Sequence, residues 1–323
     1  MKNYIVLSGG FDWCYYCWKD YLDTHDNVKF YKRRLPVEYP QPFFKIIQNI
    51  YHPNSHVFLR PIIRPLFLHL LSLKKNSKNV IIFYDWNYMP TDKKFLDAIR
   101  KKDPNVKLVY VFTNIVKLTG AKKWRILDKL NEWFDAVFAF DPIDAERYGF
   151  YYNRLIYAMP KEDSCIEEDI DLFYIGRAKD RLDTLLEVFE KAQSEGLKCD
   201  FTIVDVPEEE QRYPEIIKYN VKIPYEEVIK KIKRSRCLVD VIQGESCGLT
   251  IKTVESVVYD KKLLTTNENI KDEFFYKSQN MMIYDRSRSI REFLDYPSVK
   301  YTPEEKYVFS PNHLFELIDK YCK

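Results

Sequence analysis

Short apolar runs alternate with amphipathic stretches along most of the chain. In its first half the runs fall at 4–7 (YIVL), 79–84 (NVIIFY), 107–112 (KLVYVF) and 136–140 (AVFAF). Between them, 93–102 and 122–134 space their apolar residues three and four apart, as a helix with one buried face does. Continuous apolar runs of this length, joined by helices, predict a parallel sheet covered on both faces. The alternation lapses at 159–168 (MPKEDSCIEE), a polar and acidic linker, and then restarts. Strands are predicted at 171–175, 200–204, 237–242 and 262–265, and helices at 180–195, 225–234, 249–259 and 311–323. The fold class is therefore α/β, with two Rossmann-like halves and no internal repeat.

Length agrees with two halves, since 323 residues exceed what one core usually organises. We place the domains at 1–160 and 161–305, with 306–323 as a final helix. A hydrophobic content of 46%, with 16% aromatic residues, suffices for two cores. No apolar run approaches the roughly 20 residues of a membrane-spanning helix. The opening MKNYIVLSGG lacks a secretory apolar core and cleavage site and reads as a first strand. Seven scattered cysteines suit a reducing compartment, so a cytoplasmic location is expected. Cys14 and Cys17 form a CxxC, but no second pair exists to complete a zinc site. The aromatic residues around them point to packing.

A net charge of +3 conceals an asymmetry. Residues 1–160 hold 25 Lys+Arg against 15 Asp+Glu, whereas 161–323 hold 26 against 33. The excess is concentrated in 28–78, where ten basic residues face one acidic residue, Glu38, among many bulky apolar ones. That mixture suits an anionic membrane surface, and an ordinary domain with solvated lysines explains it equally well. The basic residues belong to no recognition motif, so no nucleic-acid partner is expected.

Two stretches carry candidate chemistry. Residues 240–267 (DVIQGESCGLTIKTVESVVYDKKLLTTN) read as strand, glycine turn, amphipathic helix and strand. Such a helix start presents free N–H groups and a positive dipole end, which suits a phosphate. Gly248, Leu249, Thr250, Lys252 and Thr253 form this start, and Glu255 could accept hydrogen bonds from ribose hydroxyls. The second stretch follows the strand at 171–175: Gly176, Arg177 and Lys179, with Arg181 beyond, again set cations at a helix start. Arg177 can grip a diphosphate bidentately. Both stretches follow strands of one predicted sheet, so both lie on its carboxyl edge.

Gly176-Arg177, the Gly-Leu-Thr-x-Lys-Thr-x-Glu helix start at 248–255 and Lys-Lys-Leu-x-Thr-Thr-Asn at 261–267 resemble bacterial GT-B glycosyltransferases. The nearest branch is the RfaS-type family of lipopolysaccharide core and capsule biosynthesis, matched over 170–285 and more loosely at the start of the chain. The resemblance implies two Rossmann-like domains facing across a cleft, with the C-terminal helix returning to the first. A nucleotide-sugar would bind the second domain and a glycan acceptor, lipopolysaccharide core or capsule and lipid-linked, the first. The nucleotide-sugar is a co-substrate, and no cofactor is expected. Many retaining members carry two glutamates eight apart. Glu255 matches the second, but Cys247 stands eight residues before it and Glu245 ten, which leaves the stereochemistry open. An inverting reaction needs a base, and Asp12 and Asp85, each at a strand end, are the candidates. No loop offers a convincing DxD pair, so metal independence is expected, with Arg177, Lys179 and Lys252 offsetting leaving-group charge. The alternative is a non-catalytic nucleotide-binding or membrane-surface scaffold of the same fold. A nicotinamide-dependent oxidoreductase is disfavoured because the first strand ends in SGGFDW, without GxGxxG.

Overall fold

The computed structural model describes residues 2–8, 12–32, 59–84, 92–116, 127–161, 166–244 and 248–322. It divides into one unit of Met1–Ala158 with Pro311–Lys323 and another of Met159–Ser310.

The first unit is built on six parallel strands in the order β2-β1-β3-β4-β5-β6. They are β1 (Lys2–Ser8), β2 (Val28–Tyr31), β3 (Lys78–Tyr84), β4 (Lys107–Val111), β5 (Ala136–Ala139) and β6 (Tyr151–Tyr152). β1 lies centrally, with Tyr4 opposite Val28 on one side and Val80 on the other. Its residues from Asn3 to Ser8 are all buried, as expected of a strand covered on both faces. The helices are α1 (Asp12–Leu22), α2 (Arg60–Leu70), α3 (Lys93–Lys102), α4 (Leu130–Trp133) and α5 (Pro142–Tyr148). Cys14, Cys17, Trp18 and Tyr21 make the buried stripe of α1, so the CxxC is the i, i+3 step of a helix face. Asp92 and Asp141 cap α3 and α5 through their carboxylates, and Gly149, at φ 65°, ends α5 in the left-handed region. The predicted helix at 122–134 is described only from Leu127 onward, as a short turn and α4.

The second unit repeats the plan, with parallel strands in the order β12-β11-β10-β7-β8-β9. They are β7 (Ile170–Arg177), β8 (Cys199–Val204), β9 (Lys218–Tyr219), β10 (Ser235–Asp240), β11 (Lys262–Thr265) and β12 (Met281–Ile283). The helices are α6 (Leu182–Ser194), α7 (Tyr225–Arg234), α8 (Ile251–Val258), α9 (Ile290–Asp295) and α10 (Pro303–Tyr307). Leu185, Leu186 and Phe189 of α6 pack with Phe201, Ile203 and Val239 of the sheet. The last helix, α11 (Pro311–Tyr321), belongs to the first unit. Its Phe315 stacks on Tyr4 at 3.7 Å and its Tyr321 on Tyr151 at 3.8 Å between ring centroids.

Candidate functional site

β7 and β10 are neighbours, Phe173 opposite Leu238, and each leads at its carboxyl end into a turn and a helix. Both turns stand on one edge of a parallel sheet, where doubly wound α/β sheets bind ligands.

β7 ends in Gly176 and Arg177. A Cβ on Gly176 would lie 2.8 Å from the Tyr174 hydroxyl, so the close approach of that tyrosine demands a glycine. The Tyr174 hydroxyl donates to the Arg177 carbonyl at 3.3 Å, and burial pushes its pKa up to about 12. Arg177 is exposed, its Nε 3.2 Å from Asp205. Lys179 adopts the left-handed φ of 49° and donates to Gln243, on the turn after β10. Its pKa is lowered by desolvation and by the charges of Arg181 and Arg177, with Asp180 opposing them. Arg181 donates to the carbonyls of Val241 and Arg177, both at 2.6 Å, and so ties the ends of β10 and β7 together. It is a strut between strands.

The second turn leads to α8. Thr250 is its cap, Oγ1 accepting from the Thr253 N–H at 3.3 Å. Behind the cap lies Asp240, the last residue of β10 and buried. Its Oδ2 accepts from Thr253 Oγ1 at 3.3 Å and from Thr265 Oγ1 at 3.1 Å. Burial raises the Asp240 pKa, while hydrogen bonds from Thr250, Thr265 and Thr253 and the charge of Arg181 oppose the shift. Gly248 and Leu249 are buried just before the cap.

The sequence assigns Lys252 to a phosphate and Glu255 to a ribose, but the structure joins them to each other. Lys252 Nζ donates to Glu255 Oε2 at 2.8 Å and lies 5.5 Å from the centre of the Phe173 ring. Glu255 Oε1 accepts from the Tyr225 hydroxyl. Glu255 is 0% exposed and Lys252 7%. Thr253 is likewise turned inward, onto Asp240.

The structure thus brings Gly176, Arg177 and Lys179 to the same edge as Thr250, and it seals Lys252, Thr253 and Glu255 beneath that edge. Asp12 is exposed and opens α1 in the other unit. Asp85, Glu245 and Cys247 lie outside the described residues. Sequence reading missed Asp240, Tyr225 and Gln243. Asp240 carries the only legible signal, a lone carboxylate closing an apolar strand. Among the described residues no three His, Cys, Asp or Glu side chains gather as a metal site requires, and no helix is long and apolar enough to cross a membrane.

No protein-family model matches this chain, and no curated protein matches it. Solved structures do. An α-glucosyltransferase, solved with UDP and a 13-mer DNA containing an HMU base, aligns over 100% of this chain and 99% of its own, at TM-score 0.54 and 11% identity. The fold is that of the GT-B glycosyltransferases. At that identity the likeness is one of fold. Anabaena HepE, solved with UDP and glucose, aligns over 99% of this chain and 95% of its own at TM-score 0.49 and 11% identity. TarM aligns over 79% of this chain at TM-score 0.45 and 12% identity, and this chain spans 54% of TarM.

Proposed function

We propose that this chain is a glycosyltransferase moving a sugar from a nucleoside-diphosphate-sugar onto a hydroxyl of a lipopolysaccharide core or capsule glycan carried on a lipid. One observation carries the reading: in a GT-B fold, exposed Arg177 and Lys179 share the carboxyl edge of the second sheet with the amino end of α8. The first N–H groups of α8 offer a phosphate site, and Arg177 and Lys179 offset the charge that grows on a departing diphosphate without a metal ion. Arg177 can exchange Asp205 for phosphate, because their exposed ion pair is weak. Glu255 reaches a ribose only if the Tyr225 hydroxyl gives way, since both carboxylate oxygens are engaged. If the transfer inverts the anomeric carbon it needs a base, and of the candidates Asp12 and Asp85 the first is exposed at the start of α1.

A thermal-shift screen with UDP, GDP, CMP, dTDP and ADP tests the donor. A ligand at 100 times its dissociation constant stabilises by about 2.7 kcal/mol. Silence across the screen overturns the donor site. Asp12→Asn should bind nucleotide normally and lose turnover; full turnover removes Asp12 as the base.

The acceptor's lipid brings the enzyme to an anionic membrane through 28–78. Of that segment, α2 supports the reading. Ile62 is 72% exposed and Leu66 45%, while Phe67 is buried, and α2 contains no acidic residue to repel anionic lipid. Ile62→Glu with Leu66→Glu should abolish co-sedimentation with vesicles containing anionic lipid. Undiminished co-sedimentation of that variant removes the membrane from the reading.

A further inference from the structure

One buried donor on this edge is left over. Asn267 follows β11, is 1% exposed and caps the short 3-10 turn Glu268–Asp272. Its Oδ1 accepts from the Asn269 N–H at 3.1 Å, which settles which end of the amide is oxygen. Its own backbone N–H donates to Thr265 Oγ1 at 3.0 Å. Nδ2 is then a buried donor with no partner among the described residues, and native proteins rarely leave one so.

Its position gives it a use. The chain bends at Thr266, just after β11, and the Asn267 N–H turns back onto the Thr265 hydroxyl. The Thr265 hydroxyl shares Asp240 Oδ2 with that of Thr253, in the first turn of α8. Thr266 fastens the same segment to the end of β10: its N–H donates to the Asp240 carbonyl and its Oγ1 accepts from the Ile242 N–H, each at 3.0 Å. Through its N–H on Thr265, and the Thr265 hydroxyl on the Asp240 carboxylate that Thr253 also meets, Asn267 stands beside the amino end of α8. With Lys252 committed to Glu255, that end needs donors from elsewhere.

We propose that Asn267 is a binding residue of the donor site, its Nδ2 donating to an oxygen of the sugar-bearing phosphate of a nucleoside-diphosphate-sugar. The inference rests on the donor-site reading above. A phosphate oxygen suits this amide because the amide's own acceptor is already spent on Asn269 and only a donor is on offer.

Calorimetric titration with UDP, GDP, CDP, dTDP and ADP selects the nucleotide, which is then compared with its monophosphate on two variants. Asn267→Ser and Asn267→Asp both keep an oxygen to cap the turn. Asn267→Ser should weaken the selected diphosphate about tenfold and its monophosphate less than about threefold. Asn267→Asp should weaken the diphosphate further, by placing an anion beside the phosphate. If Asn267→Ser unfolds, Asn267→Asp decides. Diphosphate affinity within about twofold of wild type, or equal loss for both nucleotides, overturns the assignment. If Arg177→Ala weakens binding while the Asn267 variants do not, only this inference falls. If none of the five nucleotides binds the wild type, the donor-site reading falls and takes Asn267 with it.

Discussion

Two strand–helix junctions of the second unit stand side by side and use their charges in opposite ways. After β7, Arg177 and its partner Asp205 keep 66% and 60% of their side-chain surface in solvent. After β10, Lys252 and Glu255 keep 9% and 0%. An exposed pair is screened and exchanges partners freely, whereas a buried pair, once desolvated, depends on each member keeping the other. The first junction is thus suited to meet a ligand and the second to hold its helix in place.

The comparison breaks most sharply at Glu255. Glu255→Ala leaves Lys252 buried without its carboxylate and should cost about 3–5 kcal/mol in urea unfolding. Lys252→Met with Glu255→Leu should recover most of that loss. A single-variant cost as small as that of a surface site would show the pair to be solvated. Arg177→Ala should do the reverse: stability within about 0.5 kcal/mol of wild type, with nucleoside-diphosphate affinity lowered about tenfold or more in calorimetry.

Asp240 sharpens the contrast through pH. Its folded pKa is raised by burial, so the folded state holds this proton more tightly than the unfolded chain. The resulting stability is fully present below the unfolded value, about 3.9, and is lost as pH rises through the raised native value. The stability of wild type minus that of Asp240→Asn should therefore fall as pH rises from about 4. A flat or rising difference would mean that Asp240 is well solvated. Thr250→Ala is the mildest test. Loss of the α8 cap should cost about 1 kcal/mol, and no change would show that the cap's hydroxyl carries nothing.

The central strands were legible because burial on both faces leaves continuous apolar runs, as at 79–84 and 107–112. β2 and β12 were not, since VKFY and MMI are too short to show a period. α1 was hidden by its composition: Trp13, Tyr15 and Tyr16 mask the stripe of Cys14, Cys17, Trp18 and Tyr21. α2 was hidden by Pro61 and Pro65, which read as breaks although the helix runs through them. In the site, the sequence located Gly176, Arg177, Lys179 and Thr250 on one edge. It could not show that Lys252 turns to Glu255, although their i, i+3 spacing on a helix was a signal for that pair. Side-chain direction depends on what fills the space behind, here Phe173 and Tyr225, which come from other elements.

The stack of Phe315 on Tyr4 has a consequence for the order of assembly. Tyr4 is synthesised before any of the second unit, and Phe315 emerges only after the whole of it. The second unit is contiguous from Met159 to Ser310 and can close as it leaves the ribosome. The first unit waits with the aromatic flank around Tyr4 and Trp18 uncovered until α11 arrives. The half made first is the half finished last, and a ribosome stalled near residue 310 would release a sound second unit joined to an incomplete first one.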